Sequence, residues 1–235
     1  MISSHPNALP KATQLSEMLI REIMAGRLPD GTKLPPERDM ASMHGVAVGT
    51  VRKALARLQD QGLLQRVQGS GNYVRAKSDV DSVYAFFRLE HLEGGGLPRA
   101  RVLDVMRLRK PVDVPAFGTS KFAHRIRRVR YLDEVAIALE EIWLDARFAK
   151  KVRAAELEDS LYQHYKLVLG LVISRIEDRV GLGKVPPWTE EELALKVGAP
   201  IPMVERLSWG NEKTPAEYSR TWFNPQRARY VARQT

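Results

Sequence analysis

Pro35, Pro36, Gly45 and Gly62 constrain this chain more than any other feature, because they set where helices start and stop. Pro35-Pro36 leads into Glu37-Arg38-Asp39-Met40-Ala41, where proline at the first helical position and acids in the first turn favour a helix start. Gly45 ends that short helix. A longer one follows from about Val48 to Gln61, with Val51, Ala54, Leu55 and Leu58 on one face and Gly62 in the C-terminal stop position. A short helix, a tight turn and a longer amphipathic helix make a helix-turn-helix pattern. Ahead of it, residues 13–25 place Leu15, Met18, Leu19 and Ile23 at helical spacing, which predicts a helix with one buried face, capped by Thr13 and ended by Gly26. Behind it, residues 63–68, the turn Gly69-Ser70-Gly71 and residues 72–75 read as a small hairpin.

The length of 235 residues suits two compact domains. With no cysteine there is no disulfide framework, no Cys-ligated metal and no thiol nucleophile. The longest uninterrupted apolar run, residues 167–173, contains Gly170 and falls far short of the ~20 residues a spanning helix needs. The first twelve residues lack a charged start followed by an apolar core, so they read as a frayed tail rather than a secretory signal, and the expected location is cytoplasmic. The net charge of +9 is uneven: residues 1–77 hold 11 Lys+Arg against 6 Asp+Glu, and the remainder 26 against 22. The smaller third thus carries more than half the excess, which suits phosphate polyanions and anionic membranes alike.

On the longer helix, the face opposite Val51, Leu55 and Leu58 presents Gly49, Arg52, Lys53 and Ala56. Small residues beside two cations fit close entry into a major groove, where arginine is the commonest bidentate partner of guanine, so Arg52 is the leading base reader. Arg38 sits at a helix start, which favours phosphate, and the bare hairpin tip 68–71 lets backbone approach a minor groove. An ordinary three-helix packing unit with a solvated basic face has the same periodicity.

Residues 77–82 are polar with little apolar content and mark an expected boundary and hinge. Beyond them the runs 101–109, 124–132, 135–144, 171–180, 201–209 and 215–223 are short, rich in β-branched and aromatic residues, and partly alternating, as strands are. Helices are expected near 155–169 and near 189–196, the second opened by Thr189 with Glu192 three residues on. Strands and helices that do not alternate strictly predict an α+β domain with a largely antiparallel sheet. Gly94-Gly95-Gly96 reads as a flexible loop, His44 as a partly exposed structural residue, and Trp143, Trp188, Trp209 and Trp222 as core or dimer contacts.

Residues 15–75 resemble the winged helix-turn-helix of GntR-type bacterial transcription regulators, through GRLPDGTKLPPERDMA, GVAVGTVRKALARLQDQGLL and RVQGSGNYV. The resemblance implies DNA contacts from Arg38, Thr50, Arg52, Gln68 and Gly69, in agreement with the face of Gly49, Arg52 and Lys53 except that Thr50 sits at its flank. Where family members carry polar readers at the turn into the recognition helix, this chain has Ala47, Val48 and Gly49, so Val48 is expected to touch a thymine methyl and the operator to depart from the family's usual one.

More loosely, residues 84–235 are similar to the chorismate-lyase-like UTRA ligand-sensing domain of the HutC-type branch, through RVRYLDEVAIALEEIWL, Ser160-Leu161-Tyr162, ISRIEDRVG and PAEYSRTWFNPQRARY. That resemblance implies an effector pocket of Arg128, Arg130, Glu140, Ser160, Tyr162 and Glu217. Arg128 and Arg130 share a strand face and offer planar donors to phosphate or carboxylate, while Glu140 and Glu217 accept hydroxyl or amine hydrogens. The same residues also read as surface ion pairs on an exposed sheet face. At 97–101 this chain has LPRAR where sugar-phosphate binders carry serines, so sugar phosphate, polyol and carboxylate all stay open as effectors.

The expected organisation is a DNA-binding domain over 1–77, a linker over 78–83 and an effector and dimerisation domain over 84–235. The expected function is a ligand-responsive transcription regulator, most simply a repressor of a catabolic operon, acting as a homodimer on a palindromic site. No cofactor, metal or membrane contact is expected. An enzyme of chorismate-lyase-like fold is the alternative, but the chain lacks GxSxG, HExxH and GxxxxGK, and its five histidines are scattered. A ligand-independent architectural DNA binder would need little beyond the first third.

Overall fold

The computed structural model describes residues 8–75 and 82–233. Residues 1–7 of the expected frayed tail and most of the expected hinge therefore lie outside the described residues, while residues 8–12 are ordered against expectation, with Leu9 buried and the first helix open from Lys11. The chain divides into two compact units, one of residues 1–98, 132–134 and 229–235, the other of residues 99–131 and 135–228.

The first unit opens with α1 (Lys11–Met24), α2 (Glu37–His44) and α3 (Val48–Asp60), followed by the hairpin of β1 (Leu64–Val67) and β2 (Gly71–Val74). Gly45 and Gly62 end α2 and α3 in the left-handed region, at φ 62° and 74°, where only glycine is unstrained. Leu15, Leu19, Ile20 and Ile23 of α1 pack with Met40 of α2, Val51, Leu55 and Leu58 of α3, and Val74 of β2 in one core. A single bridge between Lys33 and Tyr73 adds a third backbone segment to the hairpin. The helix-turn-helix with a wing is thus formed as its punctuation requires.

Two expectations for α1 are corrected. Pro10, not Thr13, precedes the helix, and Thr13 lies inside it, accepting a hydrogen bond from Arg57 Nη1 of α3 at 2.5 Å. Nor is one face alone buried: Gln14, Ser16, Glu17 and Arg21 are as enclosed as the apolar stripe. Residues 82–97 cover that second side. Ser82 Oγ donates to Glu17 Oε2 at 2.6 Å, and Leu9, Tyr84 and Leu97 form a small cluster with Met18 and Phe87. Arg21 donates from Nε to Gly96 O at 2.8 Å, from Nη2 to Leu89 O at 2.7 Å and from Nη1 to Phe87 O at 3.4 Å. Its burial lowers its pKa to about 10, still well above neutrality, with the charge of Glu90 opposing the shift.

Within this segment β3 (Leu89–His91) precedes the glycine run, which is a packed turn rather than the flexible loop expected. Gly94, Gly95 and Gly96 all take positive φ, and a Cβ on Gly95 would stand 2.0 Å from Arg27 Nη2.

The second unit is built on β4 (Pro98–Arg109), β5 (Phe122–Leu132), β6 (Val135–Asp145), β7 (Arg175–Lys184), β8 (Pro200–Trp209) and β9 (Glu217–Phe223), after which β10 (Ala228–Tyr230) pairs with β3. The six form one sheet in the order β4-β5-β6-β9-β8-β7, and the β6–β9, β9–β8 and β8–β7 pairs are antiparallel. The class is α+β. All six strands fall where β-branched runs predict them, β7 starting later at Arg175.

The expected helices are much reduced. Near 155–169 there is one turn of α4 (Leu161–His164), continued by a π-helical turn, Tyr165–Leu169, that ends at Gly170. Near 189–196 only a 3-10 turn forms, Glu191–Leu193, and the capping box does not close. The reason is a tertiary competitor: Glu192 Oε1 accepts hydrogen bonds from Arg101 Nη2 at 2.5 Å and Tyr131 Oη at 2.7 Å. Trp143, Trp209 and Trp222 are buried, and Trp188 meets Trp222 edge-on at 5.7 Å.

All three long helices lie in the first unit and all four tryptophans in the second, so two optical signals report them separately. Replacing Arg21 by Met leaves three carbonyl acceptors, one buried and two half-buried, without their donor, and the expected cost is ~2–4 kcal/mol. Urea unfolding followed at the helical circular-dichroism band should show that loss, while the tryptophan fluorescence transition stays in place.

Candidate nucleic-acid interface and effector site

In the first unit a groove runs between the start of α2, the start of α3 and the wing. Arg38 from α2, Val48 and Arg52 from α3, and Gln68 and Gly69 from the wing turn all line it. Five of the eight residues singled out for DNA are therefore gathered at one surface. Gly49, Thr50 and Lys53 lie on α3 outside that lining, with Gly49 and Lys53 exposed. Gly69 holds the wing tip at φ 74°, and Ser70 Oγ meets Tyr73 Oη at 2.7 Å, so the hairpin end is closed on itself.

Arg52 is not idle in this arrangement. Its side chain is 68% exposed, yet Nε donates to Glu37 Oε2 at 2.7 Å. An exposed pair of this kind contributes only ~0–1 kcal/mol, so a guanine edge or phosphate can displace the carboxylate at little cost. Sequence reasoning placed Glu37 only as a helix-start acid; its role as the partner of Arg52 needed the crossing of α2 and α3. Lys33 and Arg66 also line the groove and went unremarked in the sequence.

In the second unit, the implied effector residues converge at one face of the sheet, with Arg128, Arg130, Ser160 and Glu217 buried and Glu140 and Tyr162 half-buried. Arg128 and Arg130 on β5 are each 3% exposed, which rules out surface ion pairs on an open sheet. Arg128 donates from Nε to Glu140 Oε2 at 2.9 Å, and its Nη2 reaches the same oxygen. Arg130 Nη1 donates to Asp159 O at 3.1 Å and stands 3.8 Å from Glu140 Oε2. Burial works to raise the Glu140 pKa, but the two guanidiniums outweigh it and hold the carboxyl below its ordinary value. Ser160 caps α4, its Oγ accepting from Gln163 N at 3.4 Å.

Glu217 on β9 has the opposite environment. Three hydroxyls surround it: Tyr165 Oη donates to Oε2 at 2.7 Å, while Ser208 Oγ at 3.1 Å and Tyr162 Oη at 3.3 Å reach Oε1. Burial pushes its pKa up to about 7, the hydrogen bond from Tyr165 opposing and the charge of Glu140 adding. Burial also raises the pKa of both tyrosines, so they remain phenols and can donate. The face therefore offers two guanidiniums, two phenols and a carboxyl near its midpoint at neutral pH, a donor-rich setting for an anionic or polyhydroxyl ligand.

Several neighbours were missed in the sequence. Tyr165 follows Tyr162 at i+3 on a helical turn, a spacing that could have flagged it. Ser208, and the pair in which Arg206 donates to Asp178 at 2.6 and 2.7 Å, depend on the β7–β8 register, which places Asp178 opposite Arg206. No group of three or more His, Asp or Glu side chains among the described residues is arranged to hold a metal, and no helix among them is long and apolar enough to cross a membrane.

A winged helix-turn-helix with a basic groove, followed by a sheet that buries a polar ligand-type cluster, defines a DNA-binding regulator with a sensing domain. Comparison with known proteins agrees. Residues 11–74 match the bacterial regulatory proteins of the gntR family, and residues 94–229 match the UTRA domain. The chain is 56% identical over 226 residues to the HTH-type transcriptional regulator SmoD of Agrobacterium fabrum, covering 96% of this chain and 97% of that one. It is 25% identical over 230 residues to the HTH-type transcriptional repressor NagR of Bacillus subtilis, with 95% and 94% covered. It is 28% identical over 227 residues to the mannosyl-D-glycerate transport/metabolism system repressor MngR of Escherichia coli, with 92% of each covered. Among solved structures, the regulator YydK of Bacillus subtilis aligns over 97% of this chain and 100% of its own, with TM-score 0.53 and 19% identity. PhnF of Mycobacterium smegmatis aligns over 90% and 96%, with TM-score 0.51 and 20% identity. These two likenesses speak for the fold alone.

The protein belongs to the GntR family of bacterial transcription regulators, in its HutC-type branch with a UTRA domain. It is a ligand-responsive DNA-binding regulator and not an enzyme.

The Glu217 environment makes stability depend on pH. A carboxyl whose pKa rises from 4.5 unfolded to about 7 folded stabilises the fold below pH 4.5, and that contribution is lost as pH rises to about 7. Measured by tryptophan fluorescence in urea, the second unit should lose stability over this window in the wild type, and less in Glu217→Gln.

Proposed function

We propose that this regulator is a repressor of a catabolic operon, released when a small polar or anionic metabolite occupies the buried cluster of the second unit. The observation that carries the reading is the burial of Arg128 and Arg130 on the same sheet face as the near-neutral Glu217, because unneeded charge is rarely kept inside a sheet. Arg128, Arg130, Ser160 and Tyr162 would meet the anionic or most polar end of the effector, and Glu140 and Glu217 its hydroxyl or amino groups. The relatives NagR and MngR are repressors by name, the latter of a transport and metabolism system, which supports the same direction of control.

At the DNA, Arg52 exchanges Glu37 for a base edge, and Val48 reads a thymine methyl where polar readers would otherwise sit. Arg38, Thr50 and Lys53 hold the phosphate backbone, while Gly49 admits the helix and Gln68-Gly69 the wing. The protein acts in the cytoplasm as a homodimer on a palindromic operator, with half-sites set by its two-fold symmetry. Effector binding shifts the population away from the dimer geometry that fits both half-sites.

The test has two arms. Genome fragments selected by the purified protein should yield a palindromic site, which a panel of sugar phosphates, polyols and carboxylates is then screened for the power to release. Arg52→Ala should weaken specific binding ~10–100-fold, equivalent to ~1–3 kcal/mol, with the fold and effector response intact. Arg130→Ala should retain operator binding and lose release. Specific binding unchanged in the first variant, or release unchanged in the second, overturns the corresponding assignment.

A further inference from the structure

The wing tip enters the groove without a charge of its own. Its turn is Gln68, Gly69, Ser70 and Gly71, and Ser70 is closed onto Tyr73. Bare backbone of this kind can come close to a minor groove, but it brings no counter-charge to the negative potential found there. A lysine from far earlier in the chain stands beside it.

Residues 31–34 run along β2 as a third backbone segment of the wing. Gly31 N donates to Val74 O, Val74 N to Thr32 O and Leu34 N to Asn72 O, each at 2.9 Å. Lys33 is thereby fixed opposite Tyr73. Its stem lies along the wing toward the tip: Nζ stands 6.0 Å from the centre of the Tyr73 ring, and Cε is 3.3 Å from the position a Cβ on Gly71 would take. Residues 71 and 73 share a face of β2, so a side chain at 71 would press on the lysine stem. Gly71 therefore meets two needs, a backbone at φ 133° and room for Lys33. Lys33 is exposed and lines the same groove as Gln68 and Gly69. Among the described residues its ammonium is paired with no carboxylate, whereas Glu37 and Asp30 engage Arg52 and Arg75.

We propose that Lys33 is the cation of the wing: its ammonium enters the minor groove beside the Gln68-Gly69 backbone and makes the base pairs under the wing A·T-selective. The proposal rests on the reading that the wing approaches a minor groove, and adds to it a residue and a base preference. A lysine is a compact charge on a flexible stem, so it follows the potential of the groove rather than the hydrogen-bond pattern of one base. A·T runs narrow the minor groove and deepen its negative potential, while guanine puts its N2 amino group on the floor that the ammonium would approach. Lys33 thus differs from Lys53, whose phosphate contact carries no base preference.

The operator recovered from genome fragments is footprinted with hydroxyl radicals to locate the minor-groove positions that the protein protects. At those positions adenine is replaced by 2,6-diaminopurine, which adds the minor-groove amino group and keeps the major-groove face. In a second duplex the same A·T pairs become inosine·cytosine, which changes the major groove alone. Binding is measured for the full-length wild type, Lys33→Ala, Lys33→Arg and Lys53→Ala, with circular dichroism checking each fold. Diaminopurine should weaken the wild type, Lys33→Arg and Lys53→Ala by ~10-fold, and inosine·cytosine by less than ~2-fold. Lys33→Ala should bind the unmodified operator ~10-fold more weakly and change less than ~2-fold on diaminopurine. A Lys33→Ala variant that binds the unmodified operator like the wild type, or that loses as much on diaminopurine, overturns the role of Lys33 while the minor-groove reading stands. Protected positions that are all G·C, or a wild type indifferent to diaminopurine, overturn it equally. A footprint without minor-groove protection overturns both.

Discussion

The Arg128–Glu140 pair is the contact on which the buried polar face of the sheet depends. It joins β5 to β6 inside the fold, where an unpartnered guanidinium or carboxylate would cost several kcal/mol. With that pair made, the remaining donors of the face are aimed. Arg130 and Arg128 both reach the carbonyl of Asp159, whose carboxylate Oδ1 accepts from Ala100 N at 2.8 Å near the start of β4. The strand that leads into the sheet and the loop that carries Ser160 and Tyr162 are thus anchored to the same two arginines. Glu217 is left without a cation of its own and relies on hydroxyls, which is why its pKa rises while that of Glu140 falls.

The first unit uses a buried arginine differently. Arg21 has no carboxylate in hydrogen-bonding contact among its described partners; it satisfies three carbonyls of residues 87–96. Since α1 also packs on α3 through its apolar stripe and through Thr13 and Arg57, one helix ties the reading head to the segment that precedes β4. The left-handed glycines 94–96 let that backbone close against Arg27 and His91, where any side chain would collide. The chain that leaves this packed turn at Leu97 enters β4 one residue later and reaches the Asp159 contact at Ala100.

At the reading head the working residues are held lightly. Arg52 rests on Glu37 in an exposed pair, and the wing tip presents backbone with little bulk. An exposed pair of this kind is easily exchanged, whereas the Arg128–Glu140 pair of the second unit is enclosed and held by several hydrogen bonds.

The DNA-binding unit was legible in the sequence because its determinants are local. Helix ends marked by Pro36, Gly45 and Gly62, and an apolar stripe at 3.6-residue spacing, specify α2, α3 and the wing with few competing solutions. The six strands were legible for the same reason, through β-branched alternation. What the sequence left undecided are contacts between residues far apart in it. The second buried side of α1, the use of Glu192 by Arg101 and Tyr131 in place of a helix cap, the pairing of Arg52 with Glu37, and the burial of Arg128 and Arg130 all depend on which elements pack together. Alternation alone cannot say whether a charged strand face meets water or a covering helix. By itself the sequence determined the helix-turn-helix with its wing, the six strands of the sheet, the family and the residue types available at each site; the tertiary structure decided how far the helices of the second unit extend, which charges were enclosed, which partners they took and which protons they keep, because desolvation and pairing act only between groups that folding has brought together.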